Sequence, residues 1–333
     1  MKYIALIPSY EPDDILINIV KELVKNNFEV IVVNDGSSKK YQKIFDKCNN
    51  DAKVINYKTN MGKGYALKKG LSYIKDNYYN GVIVTMDSDG QHTIKDAFKL
   101  CQIAENNNNT YVLGKRLRGN KTPLRSKIGN SITRLFFRLT TGVDIYDTQT
   151  GLRAFDYKLI DFLLKVEGNR FEYEMNALLD AYKNKIILRE EVIETIYENN
   201  NKGSHFKSIR DSYLIYKQVF KFMLSSFSSF IIDYLIYSFS LLFGLSIGLS
   251  NIIARIISAN YNYFVNKSLV FNNKDEFNKT IFKYYLLALI ILVINTTLLY
   301  LLVNLGINKY LAKILVEIIM FIISWIGQKR YIF

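Results

Sequence analysis

The sequence predicts an α/β domain with a mainly parallel sheet, followed by an all-α domain of four transmembrane helices in two repeated hairpins. Three observations carry this. Up to about residue 220, short apolar or β-branched runs alternate with helical apolar periods, the pattern of a parallel sheet covered by helices. Beyond that point Phe222–Phe243 carries a single charge, Asp233, and Tyr284–Val303 carries none. Each is long enough to cross a bilayer, which takes roughly 20 helical residues. The second half also matches itself at an offset of 62 residues without a gap. The predicted domains are 1–219 and 220–333.

The elements follow in order. Tyr3 to Ile7 is an apolar strand stopped by Pro8-Ser9-Tyr10-Glu11-Pro12. A helix begins after Pro12 and carries Ile15, Ile19, Leu23 and Val24 on one face. Val30 to Val33 is a second buried strand, ending in Asn34-Asp35-Gly36-Ser37, and a third lies near Val54-Ile55. Asp35 sits just past a strand end, where open α/β sheets bind ligands, and reads either as a base or ribose contact or as a turn residue. Asn60-Met61-Gly62-Lys63-Gly64 opens a helix from about Tyr65 to Lys75, and such a helix start suits a phosphate. Val82 to Met86 is a strand running into Asp87-Ser88-Asp89-Gly90-Gln91-His92. Asp87, Asp89 and Gln91 offer hard oxygen ligands, suited to Mg²⁺ or Mn²⁺ carrying a diphosphate; the plain alternative is an Asp-rich turn.

These four motifs, Pro8 to Glu11, Val33 to Ser37, Asn60 to Gly64 and Asp87 to Gln91, resemble in order and spacing the family 2 glycosyltransferases of GT-A fold. The nearest resemblance is to polyprenyl-phosphate sugar transferases of the dolichol-phosphate mannose synthase type. The resemblance implies that Pro8, Tyr10, Glu11, Asp35, Lys63, Asp87, Ser88 and Asp89 bind the donor nucleotide, with Asp35 on the base. It implies that Asp87, Asp89 and Gln91 hold the metal. Many relatives have Asn-Glu where this chain has Glu11-Pro12.

Val112-Leu113-Gly114 reads as a further strand leading to Lys115, Arg116 and Arg118. After Pro123, Ile128, Ile132, Leu135, Phe136 and Leu139 share one face of a basic amphipathic helix over about 124–140. Such a helix lies at a membrane interface or packs on the sheet. A second interfacial helix is expected at 207–219. Arginines here suit bidentate phosphate binding. The resemblance gives Arg116, Arg125 and Ser126 the acceptor lipid phosphate, with Lys202 and His205 as further basic candidates. Asp147-Thr148-Gln149-Thr150-Gly151-Leu152-Arg153 resembles a family segment that closes the acceptor side, with Thr150 in place of Ser. Glu172 and Glu174 read either as a base or as favourable charges in the first turn of a helix, and the second reading is preferred for both.

In the second half, helices are expected at about 222–243, 247–265, 284–304 and 309–327. Lys221 falls on Lys283, Asp233 on Asn295, Gly244 on Gly306, Arg255 on Glu317, and Lys267–Phe271 on Lys329–Phe333. Arg255 and Glu317 are expected to pair, as intramembrane charges need partners. Lysines and arginines cluster before, between and after the hairpins, which places both termini in the cytosol. Met1-Lys2 leads straight into a strand, so no signal peptide is expected. This half resembles GtrA-like membrane domains.

The net charge of +14 suits an anionic membrane surface better than nucleic acid, since aromatics and basic clusters do not interleave. Two cysteines and two histidines give no zinc spacing. The expected protein is a multi-pass cell-membrane glycosyltransferase with a cytosolic catalytic domain. It would move a hexose, with inversion, from a nucleotide sugar to a polyprenyl monophosphate for cell-envelope glycan or polymer modification. A UDP-sugar is favoured over GDP-mannose, and Asp87, Asp89, Arg116 and Arg125 are the expected catalytic residues. The sequence is compatible with a homo-oligomer. The alternative is a lipid-linked sugar flippase whose first half is a binding or regulatory module. A processive synthase is disfavoured, because its Gln-x-x-Arg-Trp motif is missing and the sole tryptophan is Trp325.

Overall fold

The computed structural model describes residues 2–117, 124–194, 208–245, 247–271, 273 and 277–333. The chain divides into two compact units, Met1–Ile215 and Tyr216–Phe333.

In the first unit seven strands form one sheet: β1 (Tyr3–Ser9), β2 (Phe28–Asp35), β3 (Lys53–Tyr57), β4 (Val82–Thr85), β5 (Thr110–Arg116), β6 (Arg153–Asp156) and β7 (Ile187–Ile193). Their order is β3-β2-β1-β4-β6-β5-β7. All neighbours pair in parallel except β6, which runs antiparallel to both β4 and β5. The sheet is therefore mainly parallel, as expected, with one reversed strand. That reversal brings the start of β6 to the edge where β4 and β5 end, since Arg153 pairs with Thr85 and with Leu113.

The central strands β1, β2 and β4 are apolar on both faces because helices cover both. Ile4, Leu6, Ile31, Val33 and Ile83 point into one core with α3 (Lys63–Asn77), α6 (Ile160–Lys165) and α7 (Glu172–Lys183). Ala5, Ile7, Val30, Val32, Val82 and Val84 point into the other with α1 (Ile15–Lys25), α2 (Gln42–Cys48) and α4 (Ile94–Asn106). Helix α5 (Leu124–Thr141) contributes Phe137 to the first core.

Helix occupies all four expected spans: α8 (Ser208–Leu242), which belongs to the second unit from Tyr216 on, α9 (Ile247–Val265), α10 (Phe277–Asn304) and α11 (Lys309–Gly327). The expected separate helix at 207–219 is the first part of α8. No Pro or Gly interrupts residues 208–242, so the hydrogen-bond ladder continues into the apolar stretch. Among the described residues, Phe220–Ser240 is long and apolar enough to cross a membrane. Leu224, Phe227, Phe230, Tyr234 and Phe239 project outward from it, an apolar exterior suited to hydrocarbon rather than water.

The repeat is visible in three dimensions. Short π-helical turns follow α9 at Asn266–Val270 and α11 at Gln328–Ile332. Gly244 and Gly306 both take left-handed backbone where their hairpins turn. Equivalent residues also meet: Asn266 Nδ2 donates to Gln328 Oε1 at 2.8 Å, and the rings of Phe271 and Phe333 stack at 5.2 Å. Tyr284 packs on Tyr263, and Phe222 on Trp325. The side chains of Arg255 and Glu317 lie outside the described residues.

Candidate active site

The parallel strands present their carboxyl ends on one edge, and the polar residues of the first unit gather there. β1 ends at Ser9, β2 at Asn34 and Asp35, and β4 at Thr85, all buried. Three loops meet along this edge. Glu11 N donates to Ser37 Oγ at 2.8 Å, which ties the loop after β1 to the loop after β2. Asn34 Oδ1 accepts from Ser37 N at 2.9 Å. Pro8 lies inside β1, opposite Val33.

Asp35 is 3% exposed. Its carboxylate accepts from Tyr57 Oη at 2.7 Å, Asn60 Nδ2 at 3.1 Å, Met61 N at 2.8 Å and Gly62 N at 2.9 Å. Four protein donors thus fix the loop that launches α3. In the structure the Asp35 carboxylate organises the Asn60–Gly62 loop. Burial and the hydrogen bond to Asp35 push the Tyr57 phenol well above its ordinary range.

At the centre, Lys63 Nζ lies 2.7 Å from Asp87 Oδ1 and 2.9 Å from Glu174 Oε1. Beneath, Arg153 is 1% exposed, with Nε at 4.0 Å from the same Glu174 oxygen. Its guanidinium donates to the carbonyls of Thr150 (2.9 Å), Glu174 (2.8 Å) and Thr148 (3.3 Å). His92 is buried, with Nε2 at 3.4 Å from Asp87 Oδ2 and no hydrogen-bond partner on Nδ1. Asp89 Oδ1 accepts from Gln91 N at 3.1 Å, closing the turn that follows Asp87. Gly151 lies against Asp87, and a Cβ there would fall on the carboxylate. Thr85 Oγ1 fastens Gly151 by donating to its carbonyl at 3.0 Å.

The electrostatics follow from these neighbours. Burial alone would raise Asp87, but the Lys63 ammonium and His92 outweigh it and hold the carboxyl well below the usual range. Asp89 shifts the other way, pushed up by burial and by the charge of Asp87. Burial opposes the charge on Lys63, yet Asp87 and Glu174 hold the ammonium above its ordinary range.

The pair fits a divalent cation. Asp87 and Asp89 are hard oxygen donors, and Asp89 is disfavoured as an anion where it stands, a cost that a bound cation would offset. Among the described residues no three His, Cys, Asp or Glu side chains cluster to hold a metal by themselves. Remaining ligands would come from the substrate, the arrangement that suits Mg²⁺ with a diphosphate.

Arg116 ends β5 on the same edge. Its Nε donates to Asp147 Oδ2 at 2.7 Å and its Nη2 to Asp147 Oδ1 at 3.1 Å. The fork is held by Asp147 in the structure, and the pair anchors the 147–153 segment. Helix α5 joins the same segment, since Thr148 Oγ1 donates to Thr133 Oγ1 at 2.9 Å and Asn130 Nδ2 to Tyr146 O at 2.7 Å. Arg125 and Ser126 belong to the first turn of α5, but their side chains lie outside the described residues, as do Lys202 and His205.

Glu174, Arg153 and His92 were missed as site residues. Glu172 is the end-cap charge expected, accepting from Asn169 N and Arg170 N. Glu174 is not: it is 8% exposed and bound to Lys63. Its position was the signal. With Ala177, Leu178 and Ala181 it occupies the buried stripe of α7, and a glutamate in an apolar stripe needs a partner.

A family model described as glycosyl transferase family 2 matches residues 4–163. One described as GtrA/DPMS, transmembrane domain, matches residues 221–333. The chain is similar to the UDP-N-acetylglucosamine–dolichyl-phosphate N-acetylglucosaminyltransferase of Methanococcus voltae, at 34% identity over 215 residues, covering 58% of this chain and 84% of that protein. It is 29% identical over 140 residues to the dolichyl-phosphate beta-glucosyltransferase ALG5A of Trichomonas vaginalis, covering 38% of this chain and 41% of that one. Among solved structures, mannosyl-3-phosphoglycerate synthase from Rubrobacter xylanophilus superposes with a TM-score of 0.50 at 17% identity, over 65% of this chain and 72% of that one. That likeness is one of fold alone.

Proposed function

Because the chain belongs to glycosyltransferase family 2 and carries a GtrA/DPMS transmembrane domain, we propose that it moves a sugar from a UDP-sugar to a polyprenyl monophosphate at the cytosolic membrane face. The observation that carries the reading is the Asp87–Asp89 pair at the end of β4, with Lys63 beside it. The names of the relatives, dolichyl-phosphate transferases, supply the acceptor class, and UDP-N-acetylglucosamine in one of them favours a UDP donor.

The donor nucleotide lies over the loops around Pro8–Glu11, Asp35–Ser37 and Asn60–Lys63. Asp35 serves it by ordering the last of these, and Ser88 lies between the two acidic ligands. Asp87, Asp89 and Gln91 hold Mg²⁺ or Mn²⁺, which when bound neutralises the leaving diphosphate. The acceptor phosphate lies by the first turn of α5, where Arg125 and Ser126 hold it while Arg116 and Asp147 fix the neighbouring segment. A phosphate monoester has a second pKa near ~6, so much of the acceptor is already dianionic at neutral pH and needs no dedicated base. The acceptor oxygen attacks the anomeric carbon opposite the diphosphate, and configuration inverts. Catalysis rests on alignment and charge.

The test uses full-length protein in detergent with Mn²⁺ or Mg²⁺, undecaprenyl or dolichyl phosphate, and a panel of UDP- and GDP-sugars. Mass spectrometry should find one sugar on the lipid. Asp89→Asn should lower the yield ~100-fold or more, the scale of losing one charge-stabilising group, with the circular dichroism spectrum unchanged. Substantial activity in that variant contradicts the metal role. Neither glycolipid nor free nucleotide from folded wild-type protein would overturn transfer and favour lipid reorientation.

A further inference from the structure

Lys63 stands where two requirements meet. It opens α3, so its backbone is fixed by the loop that Asp35 organises. Its ammonium is bracketed by two carboxylates, Asp87 at 2.7 Å and Glu174 at 2.9 Å, and its side chain is 15% exposed. One of those carboxylates is the proposed cation ligand. The other is not: Glu174 is buried on α7, over the Arg153 guanidinium.

Resting on the function proposed above, we propose that Lys63 competes with the divalent cation for Asp87, and releases it only when a diphosphate takes the ammonium. Two cations cannot share one carboxylate oxygen in a largely buried site without strong repulsion. A diphosphate removes the conflict, because it offers Lys63 new anionic partners at the start of a helix, where anions are favoured. The four-carbon lysine stem permits the exchange without moving the backbone. Glu174 keeps the ammonium within reach throughout, so Lys63 turns about one fixed partner and swaps the other. Glu174 is thus a positioning residue, acting on the cation site through Lys63.

The consequence is coupling. Nucleotide raises affinity for the cation, and by linkage the cation raises affinity for nucleotide by the same factor. Part of this coupling arises in any such site, because the diphosphate itself ligates the metal. The proposal concerns the part that belongs to Lys63. The two substitutions should change it in opposite directions. Lys63→Met frees Asp87, so the cation binds more tightly alone and nucleotide has less to add. Glu174→Gln removes the second partner, so Lys63 leans harder on Asp87; the cation binds less tightly alone and nucleotide adds more.

The experiment measures Mn²⁺ affinity of the full chain in detergent by titration calorimetry, alone and with saturating UDP, with GDP run in parallel. In the wild type, nucleotide should tighten Mn²⁺ about tenfold or more, within the usual range of coupling between sites. In Lys63→Met the factor should fall, chiefly through tighter Mn²⁺ binding without nucleotide. In Glu174→Gln it should rise. If Lys63→Met tightens Mn²⁺ equally with and without nucleotide, the lysine acts only as a distant charge and the proposal is overturned, while the transferase reading stands. Should Lys63→Met fail to fold, an unchanged factor in Glu174→Gln overturns it equally. Wild-type protein that binds neither Mn²⁺ nor nucleotide removes both this proposal and the donor site beneath it.

Discussion

Gly151 shows how little room the site leaves around its acid. A methyl group there would occupy the space of the Asp87 carboxylate, and the Gly151 carbonyl is pinned by Thr85, so the segment has no easy retreat. Gly151→Ala should therefore displace Asp87 and lower transfer ~100-fold, the cost of misplacing a reacting group by about 1 Å, while the thermal unfolding midpoint shifts only slightly. Full activity in this variant would show that Asp87 need not stand where the structure puts it. Single residues were legible in unequal measure. Asp87 and Asp89 were legible as a pair of acids directly after a buried strand, but by themselves they fit an Asp-rich turn equally well, and the flanking motifs were needed to favour a cation site. Asp35 declared its location but not its partners, since no local pattern says that Tyr57, Asn60, Met61 and Gly62 converge on it. Arg116 drew its expected phosphate role from the resemblance, and no local pattern announces Asp147, 31 residues away in sequence, as its partner.

Among elements, the central strands β1, β2 and β4 were legible because they are nearly continuous apolar runs, and the helices because their periods are clear. The antiparallel setting of β6 was not. Arg153-Ala154-Phe155 is short and opens on a charge, and the arginine is tolerated only because three carbonyls satisfy it. In the second unit, the turns after α9 and α11 are joined by the Asn266–Gln328 amide pair, both members buried. Asn266 Nδ2 also donates to Asn262 Oδ1 at 2.9 Å. Asn266→Leu would leave the buried Gln328 Oε1 without its donor, while Asn262 Oδ1 keeps the Tyr284 hydroxyl, and should destabilise the unit by about 1–2 kcal/mol. The double variant Asn266→Leu/Gln328→Leu should recover part of that loss, because no amide is then stranded. Unfolding in detergent, followed for the wild type, each single variant and the pair, gives the coupling; strict additivity would argue against the contact.

For the whole molecule, the sequence provides two separate reporters. Both cysteines, Cys48 and Cys101, are buried in the first unit, and the single tryptophan, Trp325, is in the second. Burial pushes the Cys48 thiol up to about 11, so native protein at pH 8 should resist iodoacetamide. In rising urea the thiols should become reactive before Trp325 fluorescence shifts, since detergent continues to cover the apolar exterior of the second unit. Coincident transitions would mean that the two units unfold as one. The change of composition near residue 220 lies close to the division of the units at Ile215 and Tyr216, and the 62-residue repeat was legible as matching landmarks. Where the repeat axis runs was not, because equivalence in sequence does not say which equivalent residues touch.

Those contacts carry a historical implication. A residue that meets its own counterpart, as Asn266 meets Gln328 and Phe271 meets Phe333, lies beside a two-fold axis. Before duplication, one hairpin would have met an identical hairpin there, each side chain facing itself across an isologous dimer. Fusion released the two faces from that identity. Tyr263 and Trp325 now differ at one equivalent position, and Asn266 and Gln328 at another, so a symmetric partnership has become a single chain free to specialise its halves.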